Sequence, residues 1–361
     1  MVELASTSAF YPSRPTLFIE GDAQPALTLG LSSLMIFENS EGLYRCEATL
    51  GNWGATGGGN GFLYFDRHLL DFGKELVVSM GDSEAAAEVF KGNITAIEGR
   101  FPQLTPPEIL LLAEDRFQDL RMTRRSRSFE QITIGDLING IASEHGLTPE
   151  VDLSGPSYRQ LSQVNQTDLA FIRDSVRKVD GEIWIDGNTL HAQARSRRTR
   201  EEVSLSYGER LREFSVMADL ACQRSSIVVS GWDSDAKEAV VATADSSAIQ
   251  SELHGDTGGG QLLQESFGNR VERIVHQVPF NNSEAEHMAE AHYRRMSRQF
   301  ITGQALADGD GRLRVGGQVA LSGLGPLFNG NYYLSEVIHS FDPVNGYQTR
   351  FCVERPGLGS Q

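Results

Sequence analysis

Cysteine is scarce: Cys46, Cys222 and Cys352 are odd in number and lie far apart. Neither a disulfide framework nor a zinc site, whose ligands recur at short spacings, fits that distribution. Buried reduced thiols in a chain made in the cytoplasm are the expectation. Long apolar runs are also missing. No stretch approaches the ~20 residues that span a bilayer, so membrane insertion is not expected. The opening MVELASTSAFYPSRPTLFIEG puts Glu3 where a secretory leader carries positive charge, and no signal peptide is expected. Positive charge is the third scarcity. With 32 Lys and Arg against 48 Asp and Glu, the formal charge is −16, which disfavours stable nucleic-acid binding because phosphate contacts need clustered cations. Two local exceptions, Arg116 to Arg127 and Arg195 to Arg200, read as a solvated or inter-domain face. The sharper alternative is that they pair with carboxylates of a neighbouring subunit.

Catalytic patterns are absent too. GATGGGNG lacks the Lys-Ser/Thr ending of a phosphate-binding loop, and Phe62 to Phe65 beyond it read as strand. HGDTGGGQ fails in the same way. His287 and His292 are five residues apart, about 140° around a helix, and cannot grip one metal. ALSGLG has Ala320 where a nucleophile elbow needs glycine. With 48 acids, any Asp–Glu couple says little about glycoside hydrolysis. His145, His191, His276 and His339 stand singly. The expectation is no enzyme, no cofactor and no metal.

What the chain has is glycine, 37 residues of it, spread among alternating segments with many reversals. Residues 16–50 read as strands, 51–66 as a glycine-dense mobile loop. FGKELVVSMGD and EVFKGNITAIEGRF read as paired strands with a tight turn at Lys91-Gly92-Asn93. The prolines of 102–109 mark a boundary.

The middle third changes character. Thr133 is a candidate N-cap for a helix whose Ile134, Leu137, Ile138 and Ile141 share a face, with Gly146 as its stop. QLSQVNQTDLAFIRDSV then places Thr167 to cap a second helix and Asp168 at its positive end. There Leu169, Ile172, Val176 and Val179 would be buried, Arg173, Arg177 and Lys178 wet, and Gly181 the stop. EIWIDGNTLHA reads as a hairpin with its tip at Asp186 to Asn188. Strands resume after 200, and 283–300 reads as a helix with Ser283 and Glu286 as capping box.

FKGNITAIEGRF and FNGNYYLSEVIHSF share Phe-x-Gly-Asn (Phe90, Gly92, Asn93; Phe328, Gly330, Asn331), each after a strand pair opened by glycine. This reads as two copies of one barrel-like unit. The fold class expected is α+β and β-rich: two tube-protein-like β-barrel domains with an inserted α+β module and a further helical and strand insertion. The limits expected are 1–107 for the first barrel, 108–200 for the module, 201–235 with 300–361 for the second barrel, and 236–299 for the insertion.

Residues 125–192 resemble the central signature of the phage late-control D family, the baseplate hubs of contractile tails, and the N-terminal hub half of VgrG. Gln163, Asn165, Thr167, Asp168, Leu169 and Phe171 match the family's Gln-x-Asn-x-[Ser/Thr]-Asp-Leu-x-Phe start. Gly323, Gly330, Tyr332, Val337, His339, Gly346 and Thr349 fall at the places expected of its last strands. The resemblance covers roughly residues 70–355. It implies a structural hub, a homotrimer whose two barrels per chain form a pseudo-sixfold ring between a sixfold tail tube and a threefold spike. Implied partners are further copies of the chain, a tube or initiator protein, a spike and other baseplate components. Acidic charge would suit a channel that does not retain DNA or acidic cargo. The implied location is the baseplate of a phage or an injection particle. Gln163 and Asn165 would be turn residues binding backbone, not ligand. VgrG proteins continue into a needle where this sequence ends, so a separate spike polypeptide is expected. The alternatives are a tail-borne peptidoglycan or glycan hydrolase and a carbohydrate-binding adhesin.

Overall fold

The computed structural model describes residues 14–81, 86–233 and 236–359. The opening segment with Glu3 lies outside them. Twelve strands form most of one 13-stranded sheet. Six come from the first part of the chain: β1 (Thr16–Ile19), β2 (Leu31–Asn39), β3 (Arg45–Gly51), β4 (Glu75–Met80), β5 (Ala87–Arg100) and β6 (Glu108–Glu114). The α+β module follows, with β7 (Arg124–Ile132), α1 (Ile134–Glu144), β8 (Thr148–Asp152), β9 (Tyr158–Thr167), α2 (Asp168–Val176), β10 (Gly181–Asp186) and β11 (Thr189–Ala194). Next come β12 (Val203–Ser206) and β13 (Leu211–Ala218), then an insertion with β14 (Ser226–Asp233), β15 (Glu238–Asp245), α3 (Gly259–Phe267), β16 (Val271–Ile274) and α4 (Asn282–Arg298). The large sheet is completed by β17 (Ile301–Asp308), β18 (Gln318–Ser322), β19 (Gly330–Asp342) and β20 (Gly346–Arg355).

The spatial order reveals a duplication. The first six strands lie β2-β3-β6-β5-β4-β1, and the second six β13-β17-β20-β19-β18-β12. The register agrees across four of the five strand pairings; the outermost differs, β1 running antiparallel to β4 and β12 parallel to β18. Asn93 faces Glu114 and Arg100 faces Glu108, as Tyr333 faces Glu354 and Ser340 faces Gln348, at one constant offset. Two bulges agree as well: Ile94/Ala96 matches Leu334/Glu336, and Leu31/Ser33 matches Leu211/Glu213. Even the hydroxyls of the bulged residues act alike. Thr95 Oγ1 donates to the Leu112 carbonyl at 3.4 Å, and Ser335 Oγ to that of Cys352 at 3.3 Å. Bulges are position-specific features of a strand pair, so their coincidence marks two copies of one unit.

Each copy curls around its own apolar core, and β19 pairs with β2 to weld the copies into one sheet. The module and the insertion add a third and a fourth core. The α+β, β-rich class with two barrel-like units, a module and an insertion is therefore the architecture of the chain.

Several local expectations need correction. Lys91-Gly92-Asn93 is no turn: all three lie inside β5, and the reversal between β4 and β5 falls at 81–86, in part outside the described residues. Gly92 is required there for a different reason, because a Cβ would come within 2.3 Å of the Glu114 carbonyl oxygen. The two Phe-x-Gly-Asn runs are also not counterparts. Phe90 faces Val78, and its equivalent facing Leu321 is Gly330, so the matched letters sit two residues out of step. The supposed mobile loop is a hairpin, Trp53–Thr56 against Gly59–Phe62, held by contacts among Trp53, Phe62, Phe65 and Phe101. Helix α4 is capped by Asn281, which accepts from Glu284 N at 2.9 Å, while the Glu284 carboxylate accepts from Phe280 N at 3.1 Å. That reciprocal pair outcompetes Ser283 and Glu286 because it is half-buried. Finally, Asp180 and not Gly181 takes the left-handed turn after α2, with φ of 55°.

Candidate functional site

The family-type signature builds a polar cluster inside the module. Thr167 caps α2, its hydroxyl accepting from Ala170 N at 3.2 Å, as Thr133 caps α1 through Asp136 N at 3.1 Å. Asp168 then points inward and is buried. Its Oδ1 accepts from Arg127 Nη2 and from Gln163 Nε2, both at 2.9 Å, and its Oδ2 lies 2.9 Å from His145 Nε2. Burial alone would raise this carboxyl. The hydrogen bonds from His145 and Gln163 and the charges of Arg127 and Arg125 outweigh it and hold Asp168 below the usual aspartate range. Gln163 also accepts from Arg127 Nε at 2.8 Å and donates to the Gln166 carbonyl at 3.0 Å. Asn165 adopts φ of 48°; its amide donates to Ser126 Oγ, and its carbonyl accepts from Arg124. Leu169 and Phe171 enter the module core, Phe171 stacked on Phe129 at 5.9 Å.

The remaining singled-out residues lie elsewhere. Phe90 belongs to the first core, and Asn93 donates to the Gly73 carbonyl at 2.9 Å. Phe328 packs on the second core, Asn331 donates to Glu202 at 3.2 Å, and Gly330 leaves room for Arg355, whose Nη1 a Cβ would meet at 2.7 Å.

The arginine clusters find partners within the chain. Arg125 and Arg127 pair with Glu144, and Arg121 with Glu114. Arg195 reaches Glu354 at 2.5 Å, and Arg198 donates to Glu182 at 2.8 Å and to the Tyr44 hydroxyl at 3.1 Å. The second cluster thus ties the module to both barrel-like units, which favours the inter-domain reading. Arg173, expected to be wet, donates to the carbonyls of Glu41 and Gly42 and ties α2 to the first unit.

Two further buried clusters lie outside every motif of the sequence. Arg298 of α4 grips Asp180 with two bonds of 2.6 and 2.7 Å and Glu252 with two of 2.7 Å. Burial would lower Arg298, but the hydrogen bonds with Glu252 and the charge of Asp180 hold it above its ordinary range. At the weld between the units, Arg314 pairs with buried Glu38, which also accepts from Val315 N at 3.1 Å. A sequence signal exists here. Leu34, Ile36 and Glu38 alternate onto one buried face, and a charge on such a face needs a partner.

Two of the surface depressions hold few unpaired acids. One of about 880 Å³ beside the end of β13 has Asp219 as its single carboxylate, with Arg224 and Arg270. Another of about 410 Å³ at the weld carries Glu38, Glu41, Glu114 and Glu336, of which the first three are paired with Arg314, Arg177 and Arg121. Among the described residues no group of His, Cys, Asp and Glu could hold a metal, and no helix is long and apolar enough to cross a membrane.

The model of the family described as the Alg8 N-terminal domain matches residues 60–342. No curated protein matches the chain at the sequence level. Among solved structures, the prophage MuSo2 43 kDa tail protein of Shewanella oneidensis superposes with a TM-score of 0.69 at 14% identity, over 95% of this chain and 98% of that one. The tail protein of Neisseria meningitidis MC58 gives 0.67 at 11%, over 97% and 98%. An E. coli component of the type VI secretion system, described as similar to bacteriophage tail proteins, gives 0.56 at 10%, over 92% and 76%. At these identities the likeness establishes the fold, that of phage tail proteins and type VI secretion components, in line with the late-control D resemblance.

Proposed function

The chain belongs to the family of the Alg8 N-terminal domain, and we propose that it is a non-enzymatic structural hub in the baseplate of a contractile phage tail or injection particle. Three copies form a ring that meets a sixfold tail tube on one side and a threefold spike on the other. The observation that carries this reading is the duplication of two six-strand units in one chain, in the same order and with four of five pairings in the same register, two bulges included. A chain with two equivalent units presents six docking positions when tripled, which is what a junction between sixfold and threefold parts requires. The domain limits that go with it are 1–107, 108–200, 201–235 with 300–361, and 236–299. Buried ion pairs across the unit boundaries, Arg298 with Asp180 and Arg314 with Glu38, suit a part that bears load without shifting, because each would leave an unpaired charge if the boundary opened.

The test is co-expression with the tube and spike proteins of the same particle. Recovery of a complex with three hub chains per spike trimer supports the reading. Failure to bind either partner, or lysis of purified cell wall by the chain alone, overturns it; glycan-array binding by a monomer would point to an adhesin instead.

A further inference from the structure

The duplication leaves two strand edges without the partner that their counterparts have. Inside the chain, β19 runs antiparallel to β2, from Val337 opposite Glu38 to Phe341 opposite Leu34. The counterpart of β19 is β5, and that of β2 is β13. Yet among the described residues Ala96 to Arg100 pair only with β6, and Phe214 to Ala218 pair only with β17. Exposure tells the same story. Val337, His339 and Phe341 are buried, whereas their counterparts Ile97, Gly99 and Phe101 are half-exposed, exposed and exposed. Leu34, Ile36 and Glu38 are buried, and their counterparts Phe214, Val216 and Ala218 are half-exposed.

Phe341 is the informative residue. It is carried by the second unit but packs in the core of the first. Its counterpart Phe101 is 64% exposed, and the second core presents Phe214, Val216 and Ala218 only partly covered. An open edge also carries unpaired amides and carbonyls, which recruit another strand.

We propose that the missing partner is a second copy of this chain. The β5 edge of one copy adds antiparallel to β13 of the next, with Ile97 opposite Ala218, Glu98 opposite Met217, Gly99 opposite Val216, Arg100 opposite Ser215 and Phe101 opposite Phe214. The intermolecular seam reproduces the internal weld residue for residue, and Phe101 enters the neighbour's second core. One difference is built in: Ala218 stands where the weld has buried Glu38, so the seam carries no buried carboxylate at that position. The inference rests on the hub reading, since a head-to-tail seam repeats until a ring closes.

The experiment uses the full chain with exposed Cys222 replaced by serine. Light scattering first gives the assembly state. Glu98→Cys with Met217→Cys is then oxidised, beside the out-of-register control Glu98→Cys with Arg212→Cys. The expected result is a ladder of covalent oligomers for the first pair and none for the control. Phe101→Ala should weaken assembly at least about tenfold, from the lost burial of one aromatic ring. Assembly without the disulfide of the first pair, or with that of the control instead, overturns the seam while leaving the hub reading intact. A chain that stays monomeric at every concentration also overturns the seam. The hub reading is then decided separately by binding to tube and spike.

Discussion

His339 gives the sharpest stability test of the weld between the two units. It lies on β19 opposite Ile36 of β2 and is fully buried. Its Nδ1 is 2.8 Å from the Tyr347 hydroxyl. Burial pushes the imidazole down to about 4, with the Glu38 charge opposing and Arg314 reinforcing. An unfolded histidine titrates near 6.5, so above that pH both states are neutral and its stabilising contribution is complete. As pH falls from about 6.5 toward 4, the unfolded chain takes up a proton that the folded chain refuses, and stability is lost. At about 1.4 kcal/mol per pH unit, the loss between pH 7.5 and 4.5 is about 2.5 kcal/mol. Buried Asp115 acts in the opposite sense. Burial raises it to about 7 against the hydrogen bonds from Tyr44 and Phe117 amides, so its contribution weakens as pH rises through the same window. The whole-protein profile therefore mixes two opposed slopes. The useful quantity is the difference between the wild-type chain and His339→Gln, in which Asp115 cancels. In urea unfolding, the wild-type advantage should shrink by about 2.5 kcal/mol from pH 7.5 to pH 4.5. A difference constant across that range would refute the claim that the weld holds this histidine neutral.

Three further outcomes follow from the same packing. Arg298→Ala strands Asp180 and Glu252 and should cost about 3–5 kcal/mol in urea unfolding, whereas Arg197→Ala, at an exposed pair with Asp152, should cost less than about 1 kcal/mol. Gly92→Ala forces a Cβ against the Glu114 carbonyl and should lower stability by about 1–3 kcal/mol, while Gly58→Ala, which faces open space, should change it little. Thr133→Ala and Thr167→Ala each remove a helix cap and should cost about 1 kcal/mol, read from thermal melts.

Much of the module is readable in the sequence because its signals are local. Thr133 and Thr167 cap as their positions suggest, Gly146 takes a φ of 64°, and Asp186↔Thr189 closes the hairpin. The motif that suggests the duplication is itself offset by two residues. What the units share is register and bulges, and strand register is set by long-range pairing that leaves little trace in side-chain identity. Phe90 and Gly330 occupy one structural position, and no composition rule links them. The buried clusters around Arg298 and Arg314 are hard to read in advance because their partners are distant in sequence. Only Glu38, charged on an otherwise apolar strand face, announces one of them.

The central claim is that one chain carries two interchangeable units and that three chains close a ring. Electron microscopy of the purified full chain, averaged end-on without imposed symmetry, tests it most directly. The account predicts a ring of three chains displaying six similar lobes. Single particles only, or rings whose lobes number other than six, would contradict it.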